Sequence, residues 1–172
     1  MKSISVDMDG VLANVYSQFI SMHAADFGKI LLPEDMNGKL EAEAFPNERK
    51  YVTSPGFFIN APVMENAFDV LQKLNERYQV FIVSAAMEFP ASLTEKHQWL
   101  NEHFSFIQWQ QMVFCGSKQI IKADLMIDDH FKNLDYFSGE TFLFTQPHNI
   151  LANAGTHKRV HTWKEIEQIL LP

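Results

Sequence analysis

Ile4, Val6 and Met8 alternate with Ser5, Asp7 and Asp9, and Gly10 follows. A period of two marks extended backbone, so residues 3–8 are expected to form a strand with Asp9-Gly10 as its exit turn. Residues 11–30 read as helix. Residues 31–60 hold Pro33, Gly38, Pro46, Pro55 and Gly56 with short helical pieces between them. That is too long for a plain connection and predicts a small helical insertion. Phe68, Leu71 and Leu74, with Val70 and Tyr78 alongside, predict a helix over 65–77. The unbroken apolar run Val80-Phe81-Ile82-Val83 ends at Ser84-Ala85-Ala86 and fits a strand buried on both faces of a parallel sheet. A helix over 91–104 follows, with Leu93, Trp99, Leu100 and Phe104 as core candidates. Next come a strand at 112–114, a helical turn at 118–123 and a strand at 125–127 stopped by Asp128-Asp129. A fifth strand at 141–144 precedes a final helix that His161-Thr162-Trp163 opens and Leu170 ends. Strands alternating with helices predict an α/β fold, a doubly wound parallel sheet with right-handed crossovers.

Composition narrows the partners. With 172 residues, 47% hydrophobic and 20% charged, the chain has the size and make-up of one domain or one domain carrying an insertion. Fourteen Lys and Arg against 21 Asp and Glu give a net charge of −7. No basic track is present, which argues against a nucleic-acid polymer, whereas a single lysine suffices to hold a small phosphate. Cys115 is the one cysteine, so an internal disulfide and a cysteine-rich zinc site are both excluded, and a reducing compartment is the natural reading. Met1 to Asp7 lacks the apolar stretch and cleavage site of a secretory leader. The apolar-rich run at 80–87 is too short to span a bilayer. A cytoplasmic protein without membrane contact is expected.

Three expected strands end in polar residues: Asp7-Met8-Asp9, Ser84 and Asp128-Asp129. Ligands of open parallel sheets bind beyond the carboxyl ends of the strands, so these residues should converge. Asp7 and Asp9, two apart, leave extended backbone on one face. Four gathered carboxylates repel one another unless protons or a cation join them. All the donors are oxygens, which selects a hard cation, Mg2+ first where phosphate also binds. Lys118 precedes the Asp128-Asp129 strand and can neutralise phosphate charge. Ser84 adds a hydroxyl. Singly, each residue has an ordinary explanation as a turn, a cap or a solvated lysine; together they form the inventory of phosphoryl transfer.

From Val6 to Ala13, and through Asp7 and Asp9, Ser84, Lys118 and Asp128-Asp129 in that order, the chain resembles the haloacid dehalogenase superfamily of aspartate-nucleophile phosphotransferases. More narrowly it resembles the 5'(3')-deoxyribonucleotidases, at Ser54-Pro55-Gly56-Phe57-Phe58, Val80-Phe81-Ile82, Ala123 to Asp129, Leu143-Phe144-Thr145 and His148-Asn149. The resemblance implies a Rossmann-like core at 1–13 and 61–172, with a helical cap at 14–60 inserted after the first strand. It implies Mg2+-dependent hydrolysis of deoxyribonucleoside 5'(3')-monophosphates. Asp7 would be the nucleophile and Asp9 the acid and base. Asp7, the Asp9 backbone carbonyl and Asp129 would hold the metal, with Asp128 assisting, and Ser84 and Lys118 would grip phosphate. Where the family carries an aromatic after the first motif, this chain has Val15, with Tyr16 one place on. Those two, with Phe45 and Tyr51, are the candidate base or sugar contacts. Ala85-Ala86 stand where the family more often has a second hydroxyl. A phosphatase of another small metabolite and a non-catalytic metal- and phosphate-binding module are the alternatives.

Of the remaining residues, His97 and His103 are expected at the surface. A contact behind the acidic pair for His130 and a place at the site rim for His148 are left open, and Cys115 is expected to be half-buried and without a catalytic role. Trp99, Trp109 and Trp163 are expected to pack. The apolar stretch Phe106-Ile107-Gln108-Trp109 leaves an interface role for Trp109, and a homodimer, open.

Overall fold

The computed structural model describes residues 1–171. Six strands form one sheet: β1 (Ser3–Val6), β2 (Gln79–Ser84), β3 (Met112–Phe114), β4 (Leu125–Asp128), β5 (Glu140–Phe144) and β6 (Lys158–Val160). All neighbours are parallel, in the order β3-β2-β1-β4-β5-β6. The order reverses direction between β1 and β4, where Ile4 pairs with Leu125 and Val6 with Ile127. That crevice is where a doubly wound sheet offers a binding site. Asp7 leaves one side of it and Asp128 and Asp129 leave the other.

The strands that carry the site are buried because both faces of the sheet are covered. Ile4, Val6, Val80, Ile82, Leu125, Ile127, Phe142 and Phe144 join the large core, which α5 (Ala67–Arg77), α6 (Ser92–His103) and α8 (Trp163–Leu170) complete. Met126 and Leu143 point the other way, packing with Leu134 of α7 (Phe131–Leu134). Trp99 and Trp163 are fully buried, and each indole N–H has a partner: the carbonyl of Ala61 at 2.7 Å and that of Val11 at 2.8 Å. Trp109 departs from the expectation of packing, being 73% exposed on a single turn ahead of the edge strand β3. Phe68 also lies further out than expected, at 40% exposure; Ala67, Val70, Leu71 and Leu74 carry the buried face of α5.

The expected helix at 11–30 is shorter. Gly10 adopts φ +78°, and the amides of Leu12 and Ala13 both donate to the Met8 carbonyl, so residues 8–13 close into a tight turn. Helix α1 (Val15–Phe27) begins only after Asn14, whose side chain accepts from the Ser17 amide at 3.1 Å, and it ends at Gly28 in the left-handed conformation. Val11, Leu12 and Ala13 imitate a helix in the sequence because all three are apolar, but they are buried by a turn. Helices α2 (Pro33–Met36), α3 (Glu41–Ala44) and α4 (Glu48–Val52) complete a helical insertion between β1 and α5. Asp26 near the end of α1 accepts from Asn47, Lys50 and Tyr51, and those hydrogen bonds, led by Lys50, hold its carboxyl at about 2. Strand β6, Lys158-Arg159-Val160, carries no apolar run to announce it; short charged strands are common at sheet edges.

Candidate active site

Asp7, Asp9, Ser84, Lys118, Asp128 and Asp129 do meet, at the carboxyl ends of β1, β2 and β4. All but Asp9 are buried. Asp7 Oδ1 accepts from its neighbour's amide, Met8 N, at 2.7 Å and lies 2.5 Å from Lys118 Nζ. Lys118 donates at 2.6 Å to Asp128 Oδ2 as well. Asp128 is fully occupied: Oδ1 takes the His130 amide and Asn133 Nδ2, each at 2.9 Å, and Oδ2 takes Lys118 and Asn133. Asp129 is different. Its Oδ1 is buried without any hydrogen-bond partner, as is Asp9 Oδ1. Asp7, Asp128 and Asp129 each offer an oxygen within 4.8 Å of the others.

Burial dominates the electrostatics. It pushes the Asp7 carboxyl up to about 8, with Asp128, Asp129 and Asp9 adding to the rise and Lys118 opposing it. Burial likewise pushes Asp129 up to about 8, helped by Asp128 and Glu41 against His148 and Lys118. Asp128 moves the other way: Lys118 and its remaining donors outweigh its burial. For Lys118, burial favours the neutral amine, yet Asp128 and Asp7 more than compensate and hold the ammonium form. The site is therefore built for more positive charge than Lys118 alone brings.

Gly10 is part of this arrangement. A Cβ there would stand 2.3 Å from Asp129 Oδ2, at a φ that side chains rarely adopt. Gln146 Nε2 donates to the Gly10 carbonyl at 2.5 Å, and Asn149 Nδ2 donates to the Asp129 carbonyl at 2.8 Å.

Two features beside the cleft escaped the sequence reading, Lys96 and the Glu41 link from the insertion to the core. Lys96 on α6 is only 2% exposed; its Nζ lies 2.5 Å from Asp9 Oδ2, donates to Ser84 Oγ at 3.1 Å and faces the Phe58 ring at 4.3 Å. A signal was present, because Ser92, Lys96, Trp99 and Leu100 follow the helical period on one buried face. The second is a link between the insertion and the core. Tyr16 O–H donates to Glu41 Oε1 at 2.6 Å and lies 3.0 Å from His148 Nδ1, while His148 Nε2 reaches the Asp129 carbonyl at 2.9 Å. Burial works against a charged His148, but Glu41 and Asp129 raise it to about 9. His130 stacks on the His148 ring, centroids 4.2 Å apart.

These groups open into a cleft of about 890 Å3, counting its mouth. Val15 and Tyr16 line it. Phe45 and Tyr51 do not: both are 0% exposed, Phe45 stacked on Phe19 at 4.9 Å and Tyr51 bonded to Asp26. Their place on the apolar wall is taken by Phe19, Phe57, Phe58 and Phe89. The Phe45 and Tyr51 rings face inward, into the buried cluster that the insertion shares with the sheet.

The family described as 5' nucleotidase, deoxy (pyrimidine), cytosolic type C protein matches residues 1–172. The chain belongs to this family. A 5'(3')-deoxyribonucleotidase of Bacillus subtilis (strain 168) is 37% identical over 173 residues, 99% of each chain. A Staphylococcus aureus (strain Mu50) relative is 41% identical over 176 residues, 99% of this chain and 96% of its own. In fold, the chain is similar to a haloacid-dehalogenase-type hydrolase of Bacillus subtilis solved with magnesium bound, at TM-score 0.62 and 13% identity over 98% of each chain. This member of the cytosolic type C nucleotidase family is thus a phosphatase on a haloacid dehalogenase fold. No helix among its described residues is long and apolar enough to cross a membrane.

Proposed function

We propose that the protein hydrolyses deoxyribonucleoside 5'- or 3'-monophosphates through a phospho-aspartate on Asp7, with Mg2+ as cofactor. One observation carries the reading: carboxylates, a hydroxyl and two buried lysines form one end of a single cleft, and an aromatic wall forms its side. The charged end suits a phosphate and the wall suits a nucleoside.

Met8 N–H and Lys118 hold Oδ1 of Asp7, which orients the carboxylate and leaves Oδ2 to attack phosphorus. As the new P–O bond forms, the bond to the nucleoside oxygen breaks, and Asp9 gives that oxygen its proton. Asp9 then takes a proton from the water that attacks phosphorus and cleaves the bond to Asp7. Lys118, Lys96 and Ser84 hold the phosphate oxygens throughout. The oxygen-only donor set and the unpartnered Asp129 Oδ1 fit a hard divalent ion. Asp7, the Asp9 carbonyl and Asp129 would hold it, and Asp128, occupied by Lys118 and Asn133, would support them from behind. When bound, Mg2+ supplies positive charge to the phosphate and to the crowded carboxylates. Residues 14–60 act as the cap that covers the cleft, and the protein works in the cytoplasm.

Phosphate release from dUMP, dTMP, UMP, dAMP, a 3'-deoxynucleotide and several sugar phosphates, with and without Mg2+, tests this. Selective, Mg2+-dependent release from deoxynucleotides is expected. Release from sugar phosphates alone overturns the substrate, and release unaffected by chelation overturns the metal. Gly10→Ala should drive Asp129 from its place and cut Mg2+-dependent activity about 10- to 100-fold, as losses of metal-supporting groups do. Wild-type Mg2+ titration by that variant would remove Asp129 from the ligand set.

A further inference from the structure

The segment that returns from the insertion to the core, residues 54–60, is built of turns, with Gly56 at φ +90°. Three of its amides converge on one side chain of α6. Glu95 Oε1 accepts from Gly56 N at 2.7 Å, and Oε2 accepts from Phe58 N at 3.0 Å and Ile59 N at 3.1 Å. A carboxylate that gathers amides in this way makes short, charge-assisted bonds and fixes the backbone it binds. One turn along the same helix, Trp99 holds the Ala61 carbonyl. Between these anchors the segment presents Phe57 and Phe58 to the cleft. Phe57 packs on Phe19 of α1, centroids 4.8 Å apart, and on Phe58 at 4.9 Å.

We propose that Glu95 is a positioning residue for the nucleoside half of the substrate: by gathering three amides it sets Phe57 and Phe58 as the wall against which the leaving group lies. The inference rests on the nucleotide reading above. It separates the two halves of the cleft. Lys96, the next residue, faces the Phe58 ring at 4.3 Å but is also bonded to Asp9 and Ser84, and those two bonds keep the phosphate end in place when the Glu95 bonds are lost.

The test compares wild type, Glu95→Ala and Glu95→Gln in steady-state hydrolysis of dUMP, with inorganic phosphate as competitive inhibitor. Glu95→Ala is expected to raise KM for dUMP about 10-fold, the scale of a small misplacement of a substrate-positioning wall. The inhibition constant of phosphate and kcat should stay within about 3-fold of wild type. Glu95→Gln keeps one acceptor oxygen and should fall between. In amide hydrogen exchange of Glu95→Ala, residues 54–60 should lose protection while β1 and β4 keep theirs. An unchanged KM, or a KM that rises only in step with the phosphate constant, overturns the proposal, and so does unchanged protection of 54–60. If wild type itself releases no phosphate from dUMP, the nucleotide reading fails instead, and with it the role assigned to this wall.

Discussion

Asp7→Asn is expected to lower phosphate release by roughly 10⁴-fold or more, the scale seen when a covalent nucleophile is removed, and to melt no lower than wild type in metal-free buffer at pH 7. The two halves have one cause. Asp7 keeps one oxygen clear of Met8 N–H and Lys118, free to attack, and burial and three neighbouring carboxylates crowd its ionised form. Its buried carboxyl is pushed up to about 8, from an ordinary 3.8. A carboxyl whose folded value lies above its unfolded value supports the fold while protonated, below about pH 4, and that support is lost as pH rises through the folded value. At pH 7 wild type therefore carries this penalty, and the neutral amide, which has nearly the same shape, removes it. Functional sites commonly hold such strain at the expense of stability. Activity near wild type would sink the nucleophile assignment. A melting temperature well below wild type would show that the Lys118 contact outweighs the burial of the charge.

Lys118→Met should damage both fold and activity. Lys118 is the buried cation between Asp7 and Asp128, 2.5 and 2.6 Å from their oxygens. Removing one partner from a buried ion pair leaves an unpaired charge and costs about 3–5 kcal/mol. Loss of a preorganised cation at the phosphate should also slow turnover about 10²- to 10³-fold. The sign of the pH dependence follows from the carboxylates left behind. Without the lowering effect of Lys118, Asp7 and Asp128 both move upward, so their support for the fold is present when protonated and fades as pH rises. The stability deficit of the variant should therefore widen from pH 5 to pH 8. Adding Asp128→Asn should recover much of the melting temperature and none of the activity. Equal melting of Lys118→Met and wild type at pH 8 would contradict the ion-pair geometry.

Much of the site was legible because its signals are local. Apolar runs closed by Asp7, Ser84 and Asp128-Asp129 identify strands and their ends together, and a parallel sheet brings those ends to one edge whatever lies between. Lys118, ten residues ahead of Asp128, came with its strand. The insertion was visible as a stretch too long and too rich in Pro and Gly to be a loop. Lys96 was harder to see, since it lies among polar neighbours on a helix that shows itself through Trp99 and Leu100. Phe45 and Tyr51 were misplaced for a related reason. Aromatic identity says that a ring will be covered, and it does not say whether a substrate or the protein covers it. Both rings pack inside the insertion.

What the chain determines by itself is five of the six strands, the position of each carboxylate at a strand end, and the charge those carboxylates need. These depend on side-chain period and on backbone sterics, which act over a few residues. Only the tertiary structure decided that Lys96 reaches Asp9 and Ser84, that Glu95 gathers the amides of 54–60, and that His148 binds the Asp129 carbonyl across the join between insertion and core. It also decided which aromatics face the cleft. These contacts bring together residues far apart in the chain. Their geometry depends on how whole elements pack, and no local pattern of apolar and polar positions encodes that distance.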